Sequence, residues 1–137
     1  MLSPLRWLSL ATYTILIAVL SLGPGSGMPP CNIPHADKVA HFGLYALLML
    51  VMQWALEQPP QRSVRHAAAT FAVCVAYGGL MEYAQLALRA TTGRMFSWAD
   101  IAANVAGAAS ALAVLKGTYR SMHSRVQALP ATKTEIT

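Results

Sequence analysis

Apolar residues run almost unbroken through four stretches of the chain, residues 7–22, 39–56, 67–88 and 98–115. An α-helix needs about 20 residues to cross a hydrocarbon core of about 30 Å, and each stretch is close to that length. Backbone N–H and C=O groups find no partners in lipid, so a spanning segment has to satisfy them internally as a helix. The stretches are too long and too evenly apolar to be the alternating strands of a barrel. Turn-forming residues separate them. Gly23-Pro24-Gly25-Ser26-Gly27 and Pro29-Pro30 punctuate the first connector, Pro59-Pro60 the second, and residues 90–96, with Gly93, form the third. The pattern predicts an all-α polytopic membrane protein. Residues 1–116 form a bundle of four transmembrane helices, and residues 117–137 a polar, poorly ordered cytoplasmic tail.

Composition agrees. Of the 137 residues, 55% are hydrophobic and 11% charged, against about 25% charged in an ordinary soluble domain. The net charge is +5, but the basic residues are scattered, so no nucleic-acid arm is expected. Lys and Arg instead report topology. With four spans, Arg6, Arg62, Arg65, Lys116, Arg120, Arg125 and Lys133 share one side, and Lys38, Arg89 and Arg94 the other. Seven against three places both termini in the cytoplasm. Trp7, Trp54 and Trp98 fall near span ends, as an interfacial belt requires. An alternative for the first span is a cleaved signal peptide, with Gly25-x-Gly27 as its small-residue site and the neighbouring prolines against it. Cys31 and Cys74 have no zinc spacing and read as free thiols.

The polar interruptions carry the chemistry. Asp37 and Lys38 open the second helix, His41 lies one turn in, and Tyr45 a further turn along the same face. Gln85 and Glu82 lie inside the end of the third helix, Glu82 ~10 Å below Arg89. Asp100 and Asn104 follow one another at helical spacing in the fourth. These positions come from three helices and share one depth, in the outer half of the bilayer. Structural readings compete. Asp37 is a candidate N-cap, Ser97-x-x-Asp100 has capping-box spacing, His41 and Asn104 suit interhelical hydrogen bonds, and Arg89 suits a negative helix end. Glu82 fits none of these. In hydrocarbon it has to pair, hydrogen-bond or stay protonated, and Lys38, Arg94 and His41 are its candidate partners. A row of small residues, Ala99, Ala103, Gly107 and Ala111, predicts close helix approach and puts the fourth span at the bundle's centre.

Three blocks resemble the VanZ-like family, named for a teicoplanin-resistance protein. Asp37-Lys38-Val39-Ala40-His41-Phe42 resembles its D-K-x-x-H-F opening. Tyr77-Gly78-Gly79-Leu80-Met81-Glu82-Tyr83-Ala84-Gln85 resembles its Y-G-x-x-x-E-x-x-Q block. The run from Gly93-Arg94 through Ser97, Asp100, Ala103 and Asn104 to Gly107 resembles its G-R-x-x-s-x-x-D-x-x-A-N-x-x-G block. The resemblance covers about half the chain and leaves out the first span and the tail. It implies a bacterial, multi-pass inner-membrane protein and supplies no known reaction. Carried over by position, it marks Asp37, Lys38, His41, Glu82, Gln85, Arg94, Asp100 and Asn104 as the candidate ligand-binding set.

Function then divides three ways. A non-catalytic module would bind a lipid-linked cell-wall precursor, a lipoglycopeptide or another amphiphile from the outer leaflet, with Arg94, Lys38 and Arg89 meeting a phosphate or headgroup. An intramembrane hydrolase or transferase would use His41 as general acid or base, oriented by Glu82 or Asp100. A structural bundle would use the polar set as glue. One histidine with two acids is a weak metal signature, so no metal and no cofactor is expected. The expected partners are membrane lipids and such a lipid-linked component.

Overall fold

The computed structural model describes residues 4–23, 35–56 and 64–127. Five helices account for nearly all of them: α1 (Pro4–Leu22), α2 (Ala36–Ala55), α3 (Val64–Ala87), the single turn α4 (Arg89–Thr92) and α5 (Trp98–Gln127). Four are long and apolar enough to cross a membrane, with mean hydropathy between 1.2 and 1.7. The outer surface suits lipid. Leu5, Leu8, Ile15, Val19, Val39, Val73, Leu80 and Val114 all expose large apolar side chains. Such a surface faces acyl chains at no cost and would be costly in water.

α2 and α5 share the most extensive contact in the bundle, and α2 and α3 also touch each other. α1 packs on α2 and α3. Thus α2 and α3 form the short diagonal of the bundle, whereas the row of small residues had pointed to α5. The reason is local to one stretch of α5. Of the small residues, Ala99 is exposed, while Gly107, Ala108 and Ala111 are buried. A Cβ on Gly107 would overlap the carbonyl oxygen of Phe42 and lie 3.1 Å from the amide nitrogen of Ala46. Glycine is what lets these two backbones touch. The core between the helices comprises Ile17, Tyr45, Leu48, Met49, Cys74 and Ala108. Cys74 is buried as a free thiol, and Cys31 lies outside the described residues.

The two ends of the bundle differ. At one end Arg6 lies 5.4 Å from the centre of the Trp54 ring and donates to the Trp54 carbonyl, so the start of α1 meets the end of α2. At the other end lie the end of α1, the start of α2, the end of α3, α4 and the start of α5. Trp98 sits there, exposed. The Trp positions therefore bracket the bundle. Beyond residue 115 the structure departs from expectation. α5 stays helical to Gln127. Gly117 opposes the helix most there, a loss of about 1 kcal/mol against alanine, and no proline interrupts before Pro130.

Candidate functional site

Helix ends are where backbone groups lack intrahelical partners, and at the α5 end of the bundle they are satisfied by side chains from other helices. The last turn of α1 exposes carbonyls. Val19 O accepts from Gly23 N–H at 2.9 Å. Ser21 O accepts from the buried Gln85 Nε2 at 2.9 Å. Arg94 reaches over the same end, with Nε donating to Gly23 O at 3.2 Å and a terminal nitrogen donating to Leu20 O at 3.1 Å. A guanidinium suits the negative end of a helix dipole. Gln85 and Arg94 thus anchor α1 and do not join the other polar residues. The sequence had placed Arg94 as a partner of Glu82 or of an anionic headgroup. Both expectations required its fork to be free.

The start of α5 is satisfied differently. Ser97 Oγ accepts from the Asp100 N–H at 3.3 Å, which is one half of the expected capping box. The return half comes from another helix, because Glu82 Oε2 accepts the Ser97 N–H at 3.0 Å. Glu82 therefore hydrogen-bonds to a helix N-terminus, and of its three candidate partners His41 lies within 4.8 Å of it. The bond from Glu82 frees the Asp100 carboxylate. Its Oδ1 lies 2.9 Å from Lys38 Nζ, which also meets Asp37 Oδ2 at 2.6 Å. Asp37 is not the N-cap of α2. That position is His35, in the left-handed region at φ 59°, and Asp37 sits in the first turn. Arg89 opens α4 and is exposed.

His41 joins the two groups. Its Nδ1 is 3.0 Å from Asn104 Oδ1, and its Nε2 is 3.9 Å from Asp100 Oδ2. One ligand atom from each of His41, Glu82 and Asp100 lies within 4.8 Å of the other two. Six of the eight candidate residues, Asp37, Lys38, His41, Glu82, Asp100 and Asn104, are therefore linked at the junction of α2, α3 and α5. Glu82 is fully buried, and Asp100 and Asn104 nearly so. Three polar atoms here have no hydrogen-bond partner: Glu82 Oε1, Asn104 Nδ2 and Tyr45 Oη. A Cβ on Gly78, one turn before Glu82 on α3, would lie 3.0 Å from both Asn104 Nδ2 and the Tyr45 ring. Gly78 is thus the wall of this site, a role its place in the Tyr77-Gly78-Gly79 run did not reveal.

The charge balance is acidic. Asp37, Glu82 and Asp100 stand against Lys38 and the imidazole, and Lys38 already bridges two carboxylates. The unpartnered atoms are an acceptor, Glu82 Oε1, a donor, Asn104 Nδ2, and the Tyr45 hydroxyl, which can do both. An apolar cavity of about 300 Å³ between α1, α2 and α3, lined among others by Trp7, Leu48, Met52 and Val73, shares no residue with the site.

No solved structure matches this chain. The uncharacterized protein C11E3.10 of Schizosaccharomyces pombe is 35% identical over 105 residues, which is 75% of this chain; the chain spans 59% of that protein's length. That relative is fungal, so kinship of this kind does not by itself select a bacterial membrane. A profile of the VanZ/LLP1 family matches residues 1–119, taking in α1, which the motif blocks left out. With four apolar helices and that match over most of its length, the chain is a multi-pass membrane protein belonging to the VanZ/LLP1 family.

Proposed function

We propose that the chain is a membrane-embedded recognition module whose cluster at the α2–α3–α5 junction takes the headgroup of an amphiphile, a lipid-linked envelope component or a lipoglycopeptide. The carrying observation is the group of buried polar atoms without partners: Glu82 Oε1, Asn104 Nδ2 and Tyr45 Oη. An unmet buried polar group costs about 1–3 kcal/mol. Three in one cluster are the mark of a site that expects polar company. Glu82 Oε1 and Asp100 Oδ2 accept, whereas Tyr45 and Asn104 can donate. A headgroup rich in hydroxyl and amide groups matches that mixture. The excess of Lys and Arg at the opposite end supports an extracytoplasmic position for the cluster with both termini in the cytoplasm, and the motif resemblance supports a bacterial inner membrane.

The enzyme reading draws on one feature, the orientation of His41 between Asn104 and Asp100, which would suit a general base. Among the described residues no hydroxyl or thiol is hydrogen-bonded to it, and Ser97 Oγ serves as a cap. The two readings separate in one experiment. The purified chain in detergent is titrated with a fluorescent polyprenyl-linked saccharide and with the same polyprenol lacking the headgroup. Glu82→Gln keeps an oxygen for the Ser97 N–H, so it should unfold like the parent yet bind the headgroup lipid at least tenfold more weakly. Equal binding of both lipids, or no loss in Glu82→Gln and His41→Gln, rejects the module. Turnover abolished by His41→Gln would instead establish the enzyme.

A further inference from the structure

We propose that His41, Glu82 and Asp100 form a site for one divalent cation of the Zn²⁺ or Mn²⁺ class, bound by His41 Nε2 and one oxygen of each carboxylate. The reason lies in how each side chain is held by its other polar atom. His41 Nδ1 faces Asn104 Oδ1 at 3.0 Å. An amide oxygen only accepts, so Nδ1 carries the proton and a neutral ring leaves its lone pair on Nε2. Glu82 Oε2 is held by the Ser97 N–H, leaving the buried Oε1. Asp100 Oδ1 is held by Lys38, leaving Oδ2 on the side of the imidazole. Three oriented side chains thus present three lone-pair atoms to one space.

With Glu82 ionised, that arrangement is unfavourable unless something positive lies between them. A proton on His41 would answer Asp100, but it would leave Glu82 Oε1 unmet. A cation answers all three. One ligand atom of each residue lies within 4.8 Å of the other two, and His41 Nε2 and Asp100 Oδ2 are 3.9 Å apart. Bonds of about 2.0–2.2 Å to a tetrahedral or octahedral ion need them roughly 3–3.5 Å apart, so the widest separation has to close by about 1.5 Å. The outer contacts are the kind that orient metal ligands, an imidazole N–H given to a carbonyl and carboxylates held by donors. One nitrogen and two carboxylate oxygens, with no thiolate, favour Zn²⁺ or Mn²⁺ over softer ions. Three protein ligands leave positions open to water or to a ligand. The ion would also turn an acid-rich cluster into one that accepts a phosphate or carboxylate of a headgroup. That last consequence rests on the reading proposed above; the ion site itself does not.

The test uses the full chain in detergent, treated with a chelator, dialysed, and titrated with metal alone: Zn²⁺ by calorimetry and Mn²⁺ by electron paramagnetic resonance. The expected result is one ion per chain, with ¹⁴N coupling to bound Mn²⁺ that disappears in His41→Gln. Glu82→Gln and Asp100→Asn should each weaken binding at least tenfold. Asn104→Ala should weaken it about 10- to 100-fold, as loss of an outer partner does. Lys38→Gln should tighten it, because a competing cation leaves Asp100; a purely structural lysine gives no such sign. Folding is checked for every variant by helicity and unfolding temperature without metal. Absence of saturable uptake by folded protein at millimolar metal overturns the site, as does uptake unchanged in Glu82→Gln and Asp100→Asn. Headgroup lipid bound in chelator by a protein that takes up no ion would overturn the ion site and spare the recognition reading. Ion uptake without headgroup binding would do the reverse.

Discussion

Gly107→Ala adds one methyl group at the closest approach of α2 and α5, and the structure states what it would meet. The new Cβ would overlap the Phe42 carbonyl oxygen, lie 2.9 Å from the Phe42 carbonyl carbon and 3.1 Å from Ala46 N. All three are backbone atoms, so no rotamer change relieves the clash and the helices have to part. Overpacking of this kind costs about 1–3 kcal/mol, and a rigid neighbour puts it at the upper end. Alanine returns up to about 1 kcal/mol of helix propensity over glycine. The net loss is therefore about 2 kcal/mol. Gly79→Ala is the control, since no heavy atom lies within 4 Å of its Cβ and only the propensity gain applies. The two alanine variants should differ by about 3 kcal/mol in equilibrium unfolding in mixed micelles. Separation at Gly107 also reaches the site. Asn104 is one turn away on α5, His41 is next to Phe42 on α2, and their 3.0 Å contact has little slack. The His41 ¹⁵N resonances should therefore move in Gly107→Ala and stay in place in Gly79→Ala. Equal stability of the two variants would refute the close packing of these helices and the geometry of the site built on it.

Two further outcomes follow from the way α1 is held and the bundle oriented. Gln85→Leu leaves the Ser21 carbonyl without its donor, a loss of about 1–3 kcal/mol, and Arg94→Leu, on a more exposed side chain, should lose less; a Ser21→Cys reporter should react faster with maleimide in both, and unchanged reactivity would contradict the anchoring of α1. A reporter fused at Thr91 should register the extracytoplasmic side and one after Gln127 the cytoplasm, with the opposite pattern moving the cluster to the inner leaflet.

The spans were legible because hydropathy is a local property. The four apolar runs match α1, α2, α3 and α5 to within three residues at all ends but the last. The polar candidates were legible for the same reason, since an ionisable residue in an apolar run stands out wherever its partner lies. Their partners were not legible. Glu82 meets a backbone N–H 15 residues away, and backbone atoms leave no trace in residue identity. Gln85 and Arg94 reach carbonyls 64 and 71 residues back, on a helix the motif blocks did not include. The capping-box spacing of Ser97 and Asp100 forecast a local pair, and a carboxylate from α3 displaced half of it. The helix beyond residue 115 was not legible because polarity does not separate a disordered tail from an exposed helix, and lysine, arginine and glutamine are good helix formers.

The polar signature therefore separates by atoms rather than by residues. Gln85, Arg94 and the Oε2 oxygen of Glu82 complete the ends of α1 and α5, work that any helix bundle in lipid must have done. A structural explanation covers them fully. It does not cover the second oxygen of Glu82, the Nε2 of His41, the Oδ2 of Asp100 or the amide nitrogen of Asn104. If the cluster served only as glue, evolution of a stable bundle would favour apolar side chains there, because replacing buried ionic groups by well-packed apolar ones is often neutral or stabilising by about 1–4 kcal/mol. Leaving several polar atoms pinned on one side and open on the other is a worse solution for stability alone. It is a coherent solution for holding something charged or hydrogen-bonding at one face of the membrane.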